Sequence, residues 1–476
     1  MRRLSGEDNS FLAWESDVQP QHTIKAVVLD PNAGHMPLTY DAVRAALPGL
    51  VDRVPPLQWQ LLSPRIGVGR PWWITRTRGD LDYHLRRSTA AAPGRDAELG
   101  AAIARLFEAP LDRERPPWQL WYIDGLADGR IALVLKIHHA VADGMASLHL
   151  LEQFYSADPA AQLPRPSAFP VPDEHRPAAP VWFAKVARRQ ITALRRFPGI
   201  LARTAMVTGT IRRRQRAGKP GYAEAFIAPA LPFNEPLTAR REFAYRACDM
   251  AQIKSVSQAF GVSVNDVFLA LCATVLREYQ AARGPVGDDP MTAVVPVSMR
   301  PDDGDRWGNK VARWNVEIAT QIADPVERLQ AIAAATATAR EVQAERDAWL
   351  QHDWMEYWPL FKFYSRVLPI IGAKVKKRPM FSMIASNMRG PQQRLYFGGA
   401  PVEKLISTGP LVFPMGLNMT GWSYEGQMQI CVLACSDQVS DAQAIADRLP
   451  AALAELVARR PGPEAEVTGA PPATAW

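Results

Sequence analysis

Cysteine is scarce in this 476-residue chain. Cys248, Cys272, Cys431 and Cys435 are spaced neither for a disulfide framework nor for a zinc site. Packed core thiols in a reducing, cytoplasmic setting are the expectation. Histidine is also rare, with eight residues. Long apolar runs are missing: no window approaches the roughly 18 residues that a membrane-crossing helix needs. Met1 to Ser10 holds neither an apolar core nor a small-residue cleavage site, so no secretory signal is expected. Acid is missing from one stretch, since no Asp or Glu stands between His175 and Ala223.

That same stretch holds 12 Lys and Arg residues, among them Arg188, Arg189, Arg195, Arg196, Arg212, Arg213 and Arg214. Without them the net charge of +7 would turn negative. The basic character is local. It points to one segment facing an anionic surface and not to a general affinity for nucleic acid. A hydrophobic fraction of 47% and a charged fraction of 22% are those of a globular protein, and the length suggests two or three domains.

Three zones follow along the chain. Residues 1–160 alternate strand-like and helix-like patterns: Ile24 to Leu29 and Ile131 to Ile137 read as strands, and Met145 to Phe154 has helical spacing. Residues 161–239 form a Pro-rich, basic linker, with prolines clustered from Pro159 to Pro180. Residues 240–476 hold a second α/β unit. Its strands are expected at Arg241–Cys248, Thr292–Met299, Val311–Ala319 and Phe381–Ser386, with a hairpin from Met415 to Cys435 around Glu425-Gly426. Its helices are expected at Val262–Ala282 behind the cap Ser263, from Asp324-Pro325 to about Leu350, and at Asp441–Arg459.

The chemistry gathers where the apolar strand delivers His138 and His139 into a loop ending Asp143-Gly144. A neutral imidazole near pH 7 is well matched to taking a proton from a hydroxyl. Metal binding by His138, His139 and Asp143 is a poor reading, because adjacent strand residues point to opposite faces.

The segment His138-His139-Ala140-Val141-Ala142-Asp143-Gly144 resembles the motif of the coenzyme A-dependent acyltransferase superfamily, which includes chloramphenicol acetyltransferase and peptide-synthetase condensation domains. Further motifs narrow the resemblance to the bacterial wax ester synthase/diacylglycerol acyltransferase family. They are Leu4-Ser5 to Phe11-Leu12, Pro116-Pro117-Trp118, Phe233-Asn234-x-Pro236 with Arg240-Arg241, and Asn265-Asp266. Pro296-Val297-Ser298-x-Arg300 with Asn309, Ser386-Asn387-x-x-Gly390-Pro391, and Gly416-Leu417-Asn418 to Ser423-Tyr424 complete the series in the family's order. The chain departs from the pattern at Gly6-Glu7, Pro117 and Arg389.

The resemblance implies an α/β fold of two chloramphenicol-acetyltransferase-like domains, joined by a long helical crossover, with an active-site tunnel at their interface. It implies His139 as general base, Asp143 as a structural residue paired with an Arg, Gly144 as a tight turn and His138 as a neighbour. No bound cofactor is implied; acyl-CoA is the co-substrate, and diacylglycerol or a long-chain alcohol the acceptor. Asn265, Ser298, Asn387 and Thr420 are candidates for stabilising the oxyanion, and with Asp266, Arg300 and Ser386 form the candidate substrate-binding set. Asn265 equally suits a helix start, and Ser386-Asn387 a plain strand exit.

Between Trp182 and Arg203 a helical wheel gathers Trp182, Phe183, Val186, Leu194, Phe197 and Leu201 on one arc and basic residues on the other. This suits an interfacial helix on a membrane or lipid droplet, or a helix packed on the protein; Pro198 is where it can split. Trp358 to Lys377 suits core packing, an acyl route or lipid contact. Two rival functions stay open: transfer from an acyl carrier protein, and non-catalytic droplet binding.

Overall fold

The computed structural model describes residues 1–64, 69–76, 80–167, 173–218, 228–299, 306–345, 349–356, 378–379 and 381–461. The first half contains β1 (Arg2–Arg3), α1 (Gly6–Trp14), β2 (His22–Leu29), α2 (Tyr40–Arg53), β3 (Trp59–Leu62) and β4 (Trp72–Thr75). It continues with α3 (Leu81–His84), β5 (Leu85–Thr89), α4 (Asp96–Glu108), β6 (Trp118–Asp124), β7 (Ile131–His138) and α5 (Gly144–Phe154). A 38-residue helix, α6 (Ala179–Arg216), follows.

The second half contains β8 (Arg241–Asp249), α7 (Met250–Phe260), α8 (Val264–Ala281), β9 (Thr292–Ser298), β10 (Val311–Glu317), α9 (Pro325–Ala344) and α10 (Leu350–Met355). It closes with β11 (Met383–Arg389), β12 (Tyr396–Phe397), β13 (Ala400–Thr408), β14 (Leu417–Tyr424), β15 (Gln427–Cys435) and helices Ala442–Asp447 and Leu449–Ala458. Arg300 and the run from 358 to 377 lie outside the described residues.

Two six-stranded sheets carry the molecule, in the orders β12-β13-β2-β7-β6-β5 and β10-β9-β11-β14-β15-β8. Every residue of β2 and β7 is buried, because their apolar runs are covered on both faces. The first sheet is completed by chain from the second half: β13 pairs antiparallel with β2, from Thr408 opposite Ile24 to Val402 opposite Leu29. One core cluster lies inside the second half, around α8. Two more join Trp422 and Tyr424, or Phe243 and Leu433, to residues of β2 and β7, and a small fourth packs Trp182 of α6 on Leu62, Trp72 and Ile74.

Two expected helices take a different form. α6 runs through Pro198 without dividing. Proline deprives the Leu194 carbonyl of its helical donor, at a point on the helix where Leu194 is 68% exposed. The closing helix instead breaks at Arg448, because Pro450 has no N–H to donate to the Ala446 carbonyl and suits the first turn of a new helix.

Candidate active site

The end of β7 is fixed by backbone bonds on both sides. The His138 amide donates to the Pro117 carbonyl (2.9 Å), and the His139 amide to the Gln21 carbonyl (2.8 Å). The chain then turns through the buried Ala140, Val141 and Ala142 into α5. Asp143 caps that helix, with Oδ1 accepting from the Ala146 amide at 2.8 Å, a role that suits a short carboxylate at a helix start. Its Oδ2 accepts from the Lys310 amide at 2.9 Å. Asp143 therefore binds the motif loop to a strap from the second half. Gly308 of that strap donates its amide to the Val141 carbonyl at 3.2 Å.

His139 is half-buried and held on three sides. Phe11 stacks on its ring at 4.1 Å between centroids. Its Nδ1 lies 3.0 Å from Asn309 Oδ1, and its carbonyl accepts from Asn309 Nδ2 at 2.8 Å. Asn309 Nδ2 and the Asn309 amide also donate to Asp8 Oδ1, both at 2.8 Å. This network assigns the tautomer. Nδ2 faces two acceptors, so the amide oxygen must face the imidazole, and an amide oxygen can only accept. Nδ1 therefore carries the hydrogen and Nε2 keeps its lone pair. Burial, reinforced by the charge of Lys25, lowers His139 to about 3, so the ring is neutral at pH 7.

His138 points to the other side. Its Nδ1 accepts from the Ala140 amide at 3.0 Å, and its Nε2 lies 3.3 Å from Glu15 Oε1. Glu15 is also 3.6 Å from His22 Nε2 and ion-paired with Arg113. Burial pushes the Glu15 carboxyl up, but its contacts with His138 and His22 and the Arg113 charge outweigh that and hold it below the usual range. The group anchors the strand end from beneath.

The other candidates sit as follows. Gly144 has no left-handed backbone and does not make a tight turn. It is the first residue of α5, and a Cβ there would come within 2.7 Å of Met388 Sδ. The glycine admits β11 against the motif loop. Thr420 is buried and donates to Asn418 Oδ1 at 2.8 Å. Ser386 lies beside Thr420 and Asn387 beside Gly421 in the parallel pairing of β11 with β14, and Asn387 Oδ1 is buried without a hydrogen-bond partner. Ser298 is at the exposed end of β9. Asn265 is in the first turn of α8, while Asp266 completes a capping box with Ser263 and accepts from Thr336 Oγ1 at 2.6 Å. Both Asp266 oxygens thus serve packing of the second half. Sequence reading assigned no role to Phe11, Asp8, Asn309 or Lys25. Phe11 and Asn309 lie in the family-like motifs, but nothing in their spacing announces a contact with His139. Among the described residues no group of three or more His, Cys, Asp or Glu is placed to hold a metal ion.

A histidine with one basic nitrogen at the junction of two sheet-rich halves defines an acyltransferase of the coenzyme A-dependent class once set beside known proteins. Residues 4–268 match the wax ester synthase/diacylglycerol acyltransferase catalytic domain, and residues 307–457 the C-terminal domain of the same family. The chain belongs to that family. A Mycobacterium tuberculosis protein named as a diacylglycerol O-acyltransferase is 34% identical over 461 residues, covering 96% of this chain and 90% of its own. A second from that organism is 30% identical, covering 93% and 92%. The wax ester synthase/diacylglycerol acyltransferase of Marinobacter aquaeolei superposes with a TM-score of 0.70 at 25% identity, over 96% of this chain and 98% of that one. A condensation domain of the calcium-dependent antibiotic synthetase gives 0.57 at 17% identity over 96% of each chain, a likeness of fold.

Proposed function

We propose that this enzyme moves a long-chain acyl group from acyl-CoA to the hydroxyl of diacylglycerol, making triacylglycerol, with long-chain alcohols as a second class of acceptor that would yield wax esters. The observation that carries the reading is the locked tautomer of His139, reinforced by relatives named as diacylglycerol O-acyltransferases. In a passage between the halves, His139 Nε2 takes the proton from the acceptor hydroxyl. The alkoxide attacks the thioester carbonyl and a tetrahedral oxyanion forms. Its collapse expels coenzyme A as a thiolate, which takes the proton back from the imidazolium. No covalent acyl-enzyme is required.

The acceptors are lipids, so the reading includes docking on an anionic membrane or droplet surface from the cytoplasmic side. Among the described residues no single helix is long and apolar enough to cross a membrane. α6 supplies the docking face. Phe183, Leu194 and Leu201 fall on one outward line, since 11 and 18 residues are whole turns to within about 20°. They are 38%, 68% and 46% exposed.

The test is a product profile by mass spectrometry, with labelled palmitoyl-CoA against palmitoyl-carrier protein as donor and a panel of diacylglycerols and alcohols as acceptor. Labelled triacylglycerol from the CoA donor, abolished in a folded His139→Ala variant, is the expected result. Undiminished turnover by that variant refutes the base assignment.

A further inference from the structure

β2 carries a cation that the base mechanism leaves unused. Lys25 is 6% exposed. Its Nζ donates to Thr23 Oγ1 (2.7 Å) and Ser407 Oγ (2.8 Å) and lies 5.3 Å from the centre of the Trp422 ring. These partners come from β2, from β13 and from β14, so the ammonium sits where both halves meet. Among the described residues its close partners include no carboxylate. Removing an ammonium from water without a paired carboxylate is costly, and burial, only partly offset by the more distant charge of Asp143, drags Lys25 down to about 7. A methionine would fill the same volume at no such cost.

The register places this cation relative to the base. Thr23 is opposite Ile137 and Lys25 opposite Leu135. His139 continues the same row, because its amide still pairs with the Gln21 carbonyl. Side chains two residues apart share a face and are separated by about 7 Å along a strand. Since Nζ reaches back to the Thr23 hydroxyl, it stands about one such step from the His139 row. An acceptor oxygen bonded to Nε2 would lie about 3 Å from it, and the carbonyl oxygen under attack is two covalent bonds further on. With the acceptor bound to Nε2 on the face shared with β2, the developing negative charge would fall between imidazole and ammonium.

We infer that Lys25 Nζ donates to the thioester carbonyl oxygen as it becomes the tetrahedral oxyanion, with the hydroxyls of Thr23 and Ser407 aiming the ammonium. The inference rests on the base assignment to His139. No bond to Lys25 forms or breaks: the oxyanion charge is held by a hydrogen bond and returns to the carbonyl when coenzyme A leaves. The third partner of Nζ, the Trp422 face, supplies a weak attraction that the oxyanion outcompetes.

Two measurements test it. In steady-state kinetics with palmitoyl-CoA and saturating acceptor, Lys25→Met should lower kcat by about 10²- to 10³-fold, the usual effect of deleting one oxyanion donor, with KM for acyl-CoA little changed. Lys25→Gln, which keeps a donor but no charge, should fall between. Separately, the infrared band of carbonyl-¹³C palmitoyl-CoA bound to the His139→Ala protein should lie lower than the same band in His139→Ala/Lys25→Met. That reading needs no turnover. Full kcat in folded Lys25→Met or Lys25→Gln, or an unmoved carbonyl band, overturns the role of Lys25. If His139→Ala is inactive meanwhile, the base assignment stands alone; if His139→Ala turns over normally, it is the base assignment that fails.

Discussion

Between His139 and Asp8, the Asn309 side chain makes one contact as acceptor and two as donor, and only one orientation of the amide satisfies all three. Replacing it by Ala would free the imidazole to flip or change tautomer and would take from Asp8, which is 3% exposed, its side-chain donor, leaving it the backbone amide of residue 309. Asn309→Ala is expected to cost about 1–3 kcal/mol of stability, the range for a buried partner left unpaired, and to lower kcat more than it changes KM. Thermal unfolding and steady-state kinetics check both. A loss in KM alone would mean that Asn309 does not act through His139. The same burial sets a pH dependence. His139 is neutral in the fold and lowered to about 3, against an ordinary value of 6.5. The deprotonated base therefore persists as pH falls through 6.5, and kcat/KM should show no acid limb there. For stability the sign is the same for the buried His22, also lowered to about 3. The unfolded chain takes up protons first, so stability is fully present above 6.5 and is lost as pH falls from 6.5 toward 3. A kcat/KM profile with its acid midpoint at or above 6.5 would contradict the neutral, enclosed ring.

At the scale of elements, α6 shows how a helical pattern can be right while its use is divided. The apolar arc expected between Trp182 and Arg203 splits lengthwise. Trp182 and Val186 pack on Trp72, and Phe197 meets the edge of Trp354, while Phe183, Leu194 and Leu201 face outward. The basic arc is divided too: Lys185 and Arg189 lie over Trp72, and Arg203 pairs with Asp353. A helix anchored by one edge and apolar on the other is suited to resting on lipid. Changing Phe183, Leu194 and Leu201 together to Ser should lower binding to vesicles containing phosphatidylglycerol by at least about tenfold, given the apolar area withdrawn. Melting temperature and turnover of a water-soluble short-chain alcohol should be preserved. Equal vesicle binding by the triple variant would discard the docking face. Where local chemistry decided an element, the sequence was readable: Ser263 and Asp324 cap helices at the expected starts, and the hairpin turns at Glu425-Gly426. β13 passed unnoticed, since Ala400–Thr408 interrupts its apolar residues with Pro401, Glu403 and Lys404 and ends in Ser407-Thr408.

For the whole molecule, the decisive relation is long-range and has no local signature. Pattern can say that Ala400–Thr408 is extended, but not that it pairs with β2 across some 380 positions; nor can spacing reveal that Asn309 meets His139. The motif His138 to Gly144 was legible because it is continuous, whereas its supports are contributed by α1, the strap at 307–310 and β11. This has a physical consequence. Without β12 and β13, β2 would become an edge strand whose eight residues are all buried in the intact chain, and an exposed apolar edge of that length invites aggregation. The second half alone would lose the counterpart of Trp422 and Tyr424, which sit in the core built on β2 and β7. Residues 1–239 and 240–476 expressed separately should therefore each be aggregated or lack a cooperative thermal transition, while co-expression restores soluble protein and acyl transfer. A monomeric 1–239 fragment that melts cooperatively would show that the first sheet closes without the borrowed strand. In that case the coupling of fold to active site claimed for β13 and Asn309 would have to be abandoned.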